Sequence, residues 1–296
     1  MTNFLPAKMR PGHDCRTFDP RGLYNAGHVL TIDFLGSGSS GNATLIRWDS
    51  TALLVDCGFG PRVLRRRLEQ AGVPLEALTA VLLTHEHGDH SAGLRGMTRL
   101  PGLSVFLTPR TADALPARGA GEWACTRVLI QPGQPFAVGP MTVLPFSTAH
   151  DAGQPVGFVI SLPDHRRIGI ATDLGHGNRE TVEALRGCQL LCIEANHDPR
   201  LLRAGPYPAF LKRRIGSRRG HLSNADAAAL LRQVASDQLQ HLFAMHLSRT
   251  NNEPELARSM LQRQLRELGL GSAVKVTVVE QDSRVSYPAP GQLSLF

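Results

Sequence analysis

Leu78-Thr79-Ala80-Val81-Leu82-Leu83-Thr84-His85-Glu86-His87-Gly88-Asp89-His90 decides how this chain of 296 residues is read. Residues 78–83 (LTAVLL) form an apolar run of the kind found in a strand covered on both faces. The run passes straight into three imidazoles and a carboxylate within six residues, on a loop that contains Gly88. Alternate residues of an extended segment share a face, so His85, His87 and Asp89 converge. His90 opens the next helix and can face the same point. Imidazole suits zinc, and imidazole mixed with carboxylate also suits manganese or iron. A polar surface patch ahead of a helix gives no reason for four ligand-type side chains at one strand end.

Working outward, residues 29–35 have strand composition and end at the small-residue loop 36–41 (GSGSSG). Residues 43–48 and 52–55 read as short strands closed by Asp56-Cys57-Gly58. Residues 61–70 read as a helix, with Pro61 at its first position and Gly72 as its stop. Further strand-like runs occupy 103–107, 141–146, 156–161, 168–171, 190–193, 242–245 and 274–279. Helical stretches are expected at 90–99, 179–186, 224–233 and 253–268. Strands and helices interleave without a repeat, a linker or a second composition regime, so residues 29–296 read as a single α/β domain. Residues 1–28 are polar and aperiodic, with scattered Pro and Gly, and read as a flexible extension.

Composition narrows the class. Hydrophobic content of 42% with 19% charged residues is ordinary for a globular chain. No apolar run approaches the ~20 residues of a membrane span, and residues 1–28 lack the apolar centre of a signal peptide. The expectation is a soluble, cytoplasmic protein without a membrane partner. Five cysteines, an odd number without a CxxC pair, suit reduced and buried thiols. Cys188 and Cys192 could pair or bind metal, but beside an apolar run they read as packing. The net charge of +7 is almost wholly arginine, with three lysines, and suits an anionic partner such as nucleic acid. A solvated basic face explains the same charge.

The His85-x-His87-x-Asp89-His90 pattern after an apolar strand resembles the first metal motif of the metallo-β-lactamase superfamily, an αββα sandwich. Other ligand types follow in order, each after a strand-like run: His150 in PFSTAHDAG, Asp173 in IGIATDLG and His246 in HLFAMHLS. The resemblance implies one metal on His85, His87 and His150, a second on Asp89, His90 and His246, and Asp173 bridging both. His197 and His221 compete with His246 for the last position. The stretch from GHLSNADAAALL to MHLSRTNN is similar to the end of tRNA 3′-processing endonucleases, where a histidine before a small-residue helix acts on the phosphate. That likeness makes His246 the ligand, His221 the proton donor or phosphate contact, and Glu194 the group that orients His221. A more particular likeness covers nearly everything from Val29 onward. GSGSSGNATL, LLVDCGFG, HDAGQPVGF, EANHDPRLLRAGPYP, LKRRIGS and GHLSN resemble the YycJ/WalJ family, associated with 5′→3′ exonuclease activity on double-stranded DNA. Residues 1–28 depart from that family, which usually begins near Val29.

The resemblance therefore implies a phosphodiesterase with two divalent cations, Zn²⁺ or Mn²⁺, holding a bridging hydroxide at neutral pH. Asp89 and Asp173 would orient that hydroxide, and His221 held by Glu194 would protonate the leaving oxygen; the plain alternative has His221 capping the next helix. Lys212, Arg213, Arg214, Arg218 and Arg219 place five cations in eight residues just before His221, which favours contact with a phosphate backbone, DNA ahead of RNA. The loop 37–42, Ser39 included, offers N–H and hydroxyl groups to a phosphate or forms a plain tight turn. His197 in Asn196-His197-Asp198 is a candidate substrate contact or a structural residue. Three other functions compete. A small cyclic or sugar phosphodiester needs fewer cations than this run supplies. Thioester hydrolysis leaves His221 and Glu194 without a task. A basic DNA-binding protein with one closed structural zinc needs four ligands, where seven are available. Deleting residues 2–28 is expected to leave duplex DNA hydrolysis within a few-fold of the full chain; loss of bound metal or of the folded state in the truncated protein would show that the extension belongs to the core.

Overall fold

The computed structural model describes residues 29–115 and 123–288, and the 1–28 extension lies outside them. The apolar runs resolve into two seven-stranded sheets. The first comprises β1 (Leu30–Gly36), β2 (Ala43–Trp48), β3 (Thr51–Val55), β4 (Ala80–Leu82), β5 (Ser104–Leu107), β6 (Thr126–Leu129) and, returning from the far end of the chain, β14 (Val285–Tyr287), in the order β14-β1-β2-β3-β4-β5-β6. The second comprises β7 (Phe136–Val138), β8 (Met141–Ser147), β9 (Val156–Ser161), β10 (Arg167–Ala171), β11 (Leu190–Glu194), β12 (His241–Met245) and β13 (Lys275–Val278), ordered β13 to β7.

Three apolar layers separate four structural ones. Between the sheets lie Phe34, Ile46, Trp48 and Leu82 from one side and Phe158, Ile170, Cys192 and Phe243 from the other. Outside the first sheet, Leu64 and Leu68 of α1 (Pro61–Gln70) pack with Val81, Leu83 and Val105. Outside the second, Leu185 of α5 (Arg179–Leu185), Leu230 of α8 (Asn224–Val234) and Leu261 of α9 (Pro254–Glu267) pack with Leu191 and Leu242. The fold is an αββα sandwich. The 78–83 run shows why its pattern lacks alternation. Ala80 and Leu82 face the inner core, Val81 and Leu83 face the helices, and a strand covered on both sides has no polar face to alternate.

Direction positions the site. β3, β4 and β5 are parallel, as are β10, β11 and β12. β8 runs antiparallel to β9 and β9 antiparallel to β10, so β8 ends at the same edge as β10. The residues after β3, β4, β8, β10, β11 and β12 therefore meet at one rim, where α/β sheets carry their ligands. The helix expected over 90–99 is two short turns, α2 (Gly88–Ser91) and α3 (Leu94–Met97). Gly93 breaks it: its N–H donates to the Cys57 carbonyl at 2.7 Å, and a Cβ there would meet Leu64, Cys57 and Phe59 within 2.7 Å. Cys57, Cys125, Cys188 and Cys192 are buried free thiols, so the pair near β11 is packing. No helix among the described residues is long and apolar enough to cross a membrane.

Gly58 is the tightest approach beneath the metal-type loop. Its N–H donates to the Asn42 carbonyl, Asn42 N–H donates to the Asp89 carbonyl, both at 2.8 Å, and a Cβ on Gly58 would lie 1.6 Å from that Asp89 oxygen. Backbone cannot move aside as a side chain can, so Gly58→Ala is expected to destabilise by at least ~2 kcal/mol. A urea midpoint unchanged from the parent chain would contradict this packing.

Candidate metal centre

The site assembles from strand ends of both sheets. After β4 the chain presents His85 Nε2 and His87 Nδ1, 3.0 Å apart, and His150 beyond β8 brings its Nε2 to 3.3 Å from the same His87 nitrogen. On the other side, Asp89 Oδ2 lies 3.6 Å from His90 Nε2 and 3.4 Å from His246 Nε2. Asp173, two residues beyond the end of β10, lies between the groups. Its Oδ2 is 2.9 Å from His90 Nε2, and its Oδ1 is 3.6 Å from His150 Nε2 and 3.7 Å from His246 Nε2. Ligand atoms of His85–His87–His150 and of Asp89–His90–His246 each lie within 4.8 Å of one another.

Second contacts fix which ring nitrogen faces inward. His90 Nδ1 meets Asp56 Oδ2 at 2.7 Å, and His150 Nδ1 donates to the Gly220 carbonyl at 2.9 Å. His246 Nδ1 meets Glu194 Oε1 at 2.9 Å, and His85 Nδ1 meets the Thr84 hydroxyl at 3.0 Å. With those outer nitrogens engaged, each Nε2 turns toward the common centre, as metal-ligating histidines are held. Asp173 Oδ2 is buried and, despite its 2.9 Å approach to His90, has no aligned hydrogen bond. Such an orphaned carboxylate oxygen, ringed by imidazoles, fits a divalent cation. Three non-glycine residues take positive φ here, Asp56 (60°), Asp173 (56°) and His246 (57°), a strained turn that aims each side chain off its strand end.

The electrostatics agree. Burial opposes charge on His90, but Asp173 and Asp56 outweigh it and hold its pKa well above the usual range. Burial likewise opposes charge on His246, yet Asp173, Asp89 and Glu194 carry it up to about 10. Both shifts report an excess of buried negative charge that cations neutralise by replacing protons. His85 moves the other way, well below its usual value, through burial and then the neighbouring His90.

Glu194 closes β11 with no exposed surface. Its Oε1 accepts from His221 Nδ1 at 2.8 Å as well as from His246, while Oε2 accepts the N–H groups of Leu174 and Leu222 at 2.9 and 3.0 Å. Burial works to protonate it, but the two histidines hold it ionised, down to about 2. His221 is raised in turn, Glu194 and Asp173 prevailing over its burial. His221 does not cap α8, because Ser223 does so in a capping box with Asp226. A cleft of about 380 Å³ opens over the centre, lined by Ser39, His87, Asp89, His221, Tyr207 and Arg214 among others.

The remaining sequence candidates divide. α7 (Ala209–Ile215) carries Lys212, Arg213 and Arg214. Arg214 lines the cleft and is held by Asp151 at 2.6 and 3.2 Å. Arg219 donates to the His150 carbonyl and Lys212 to that of Arg203. Arg213 and Arg218 are exposed. His197 is 3% exposed and does not line the cleft, and its carbonyl accepts from the Asn224 N–H. Sequence reading passed over four supports. Asp56 accepts from the Thr84 N–H and hydroxyl as well as holding His90. Asn42 Nδ2 lies 3.1 Å from His90 Nε2, the Ser37 hydroxyl accepts from the His246 N–H, and Asn196 donates to the His246 carbonyl. The signal available for Asp56 was its position just after a strand, the same signal that marks Asp173.

Residues 51–247 match the family profile described as a beta-lactamase superfamily domain. The chain is 31% identical to exodeoxyribonuclease YycJ of Bacillus anthracis, over 86% of this chain and 97% of the relative. It is 30% identical to exodeoxyribonuclease WalJ of Streptococcus pneumoniae, over 86% and 95%. Ribonuclease Z of Streptomyces coelicolor is 29% identical over 83% and 92%. Among solved structures, the metallo-beta-lactamase fold protein YhfI of Bacillus subtilis shares the fold at a TM-score of 0.66, 19% identity, and 87% and 98% coverage. Asp56→Asn keeps the size of the side chain but weakens the acceptor that orients His90, so divalent metal affinity is expected to fall ~10- to 100-fold. Competition titration against a chromogenic chelator reads this directly, and affinity equal to the parent would remove Asp56 from the support of the centre.

Proposed function

This chain belongs to the metallo-β-lactamase superfamily and, within it, to the YycJ/WalJ family, and from that premise we propose that it is a nuclease that degrades double-stranded DNA from the 5′ end. It is a metal-type hydrolase by fold and family. We assign His85, His87 and His150 to one divalent cation, Asp89, His90 and His246 to a second, and Asp173 to both. Zinc and manganese both accept this mixture of imidazole and carboxylate. When bound, the cations supply charge neutralisation for a phosphate and a water of lowered pKa.

The observation that carries the reading is the shared carboxylate of Glu194. One oxygen holds His246 toward the centre and His221 beside it, leaving His221 Nε2 free at the cleft. Glu194 and Asp173 raise the pKa of His221 above the ordinary imidazole value despite its burial, which favours the protonated ring. A proton donor at that place serves an alkoxide leaving group, which phosphodiester cleavage produces. Asp89 reaches the same cleft and orients what is bound there. Ser39 offers a hydroxyl from the loop opposite, and Arg214 on α7 supplies positive charge on the wall. Arg213 and Arg218, exposed on the same segment, extend that charge beyond the cleft, where a small phosphodiester could not reach them.

Side-by-side hydrolysis of 5′-phosphorylated duplex DNA, a precursor tRNA, a cyclic nucleotide and a thioester tests the substrate class, and turnover confined to anything but DNA overturns it. His221→Ala is expected to lower kcat on duplex DNA ~10²- to 10⁴-fold while metal content stays at the parental value. An acid must carry its proton, so the rate is present below the raised pKa of His221 and lost as pH rises through it. In the alanine variant that alkaline limb disappears. Loss of one metal equivalent in His221→Ala would mean that His221 and His246 have exchanged roles. Replacing Arg213 and Arg218 together with Ser is expected to reduce the salt slope of DNA binding by about two units, one for each phosphate that is no longer neutralised; an unchanged slope leaves both as solvated surface.

A further inference from the structure

α7 presents two faces. Leu211, Arg214 and Ile215 line the cleft, preceded by Tyr207, whose hydroxyl donates to Thr250 at 3.2 Å. Phe210 does not join them. One residue and about 100° round the helix from Leu211, it stands 66% exposed, the most open of the large apolar side chains among the described residues. Its neighbours one turn on are Arg213 and Arg214. No residue of α7 is buried, so the helix is held at the cleft by its flanks and not by a core of its own. An aromatic ring open to solvent, one turn before the exposed Arg213 on a helix whose other face lines the cleft, has the elements of a single-strand platform: a π face for a base and a cation for the backbone that carries it.

We infer that Phe210 is a substrate-binding residue that stacks on a terminal or unpaired base of the nucleic acid entering the cleft. This rests on the nuclease reading and adds the contact that holds the strand end. Stacking on an aromatic face is indifferent to sequence, so the contact grips without selecting bases. The exposed cations at Arg213 and Arg218 make a nucleic acid the fitting occupant, ahead of an apolar surface of another protein or a second copy of this chain.

The test uses the full chain and a duplex carrying 2-aminopurine at its terminal base. Binding by the metal-free protein is expected to change the probe's fluorescence through stacking. Phe210→Ala is expected to abolish that change and to raise KM ~5- to 150-fold on duplex DNA with kcat nearly constant. Phe210→Trp restores both, since it keeps the ring; an exposed position tolerates either substitution. Parental fluorescence change and KM in Phe210→Ala overturn the proposal. So does a loss of self-association in that variant with DNA binding intact, which assigns the ring to a protein interface. A parent chain that binds and stacks the probe but cuts no nucleic acid overturns the nuclease reading and leaves the contact standing. Cutting without any stacking signal does the reverse.

Discussion

Glu194 holds a negative charge with no exposed surface, and four N–H donors from three parts of the chain make that tolerable. Leu174 follows the Asp173 turn, Leu222 follows His221, and the two imidazoles come from the end of β12 and the approach to α8. An ionised carboxylate in an apolar interior is costly unless every lone pair is met. The carboxylate thus fixes the turn after β10, the entry to α8 and the end of β12 relative to one another. Removing it leaves two histidines and two backbone donors without an acceptor, so the site and its surroundings fail together.

The same constraint explains the charge pattern of the site. Asp56 and Asp173 flank His90, and Asp89, Asp173 and Glu194 surround His246, so the carboxylates raise the pKa of both rings against their burial. Each of these imidazoles is tethered by its outer nitrogen to a carboxylate or a carbonyl, which selects the inner nitrogen as the available lone pair. The hydroxyl and carboxylate around His85 and His90 form one such tether, with Thr84 between them and Asp56 beneath.

Much of this was legible because ligand-type residues follow apolar runs directly, and a strand end has one exit. His85, His150, Asp173 and His246 each announce themselves in that way. Asp56 holds the same kind of position, but Asp-Cys-Gly after a strand reads equally well as a turn. The helix over 90–99 was overdrawn because periodicity carries no trace of Cys57, whose carbonyl captures Gly93 from elsewhere in the chain. β6 escaped notice as an edge strand with Leu129 outward, and β14 because its pairing of Tyr287 with Ile32 spans nearly the whole chain. α6 (Pro199–Ala204) and α7 are too short to show a period, and prolines bound them. The cationic run was plain in sequence, but its division into tied and open side chains depends on Asp151, His150 and Arg203, which only the fold brings near.

The centre draws its side chains from both halves of the sandwich, His85 to His90 from one sheet and His150, Asp173 and His246 from the other. It therefore measures how the sheets sit on each other. A slip of one residue along a strand moves a side chain by about 3.3 Å, more than the separation of His85 from His87. What maintains that alignment is the inner core far from any ligand, for instance the Phe34 and Phe243 rings whose centroids lie 4.5 Å apart. Such apolar pairs act as the alignment pins of the chemistry: a cavity or bulge among them reaches the rim as a mismatch between the two half-sites, with every ligand still present and its own sheet undisturbed.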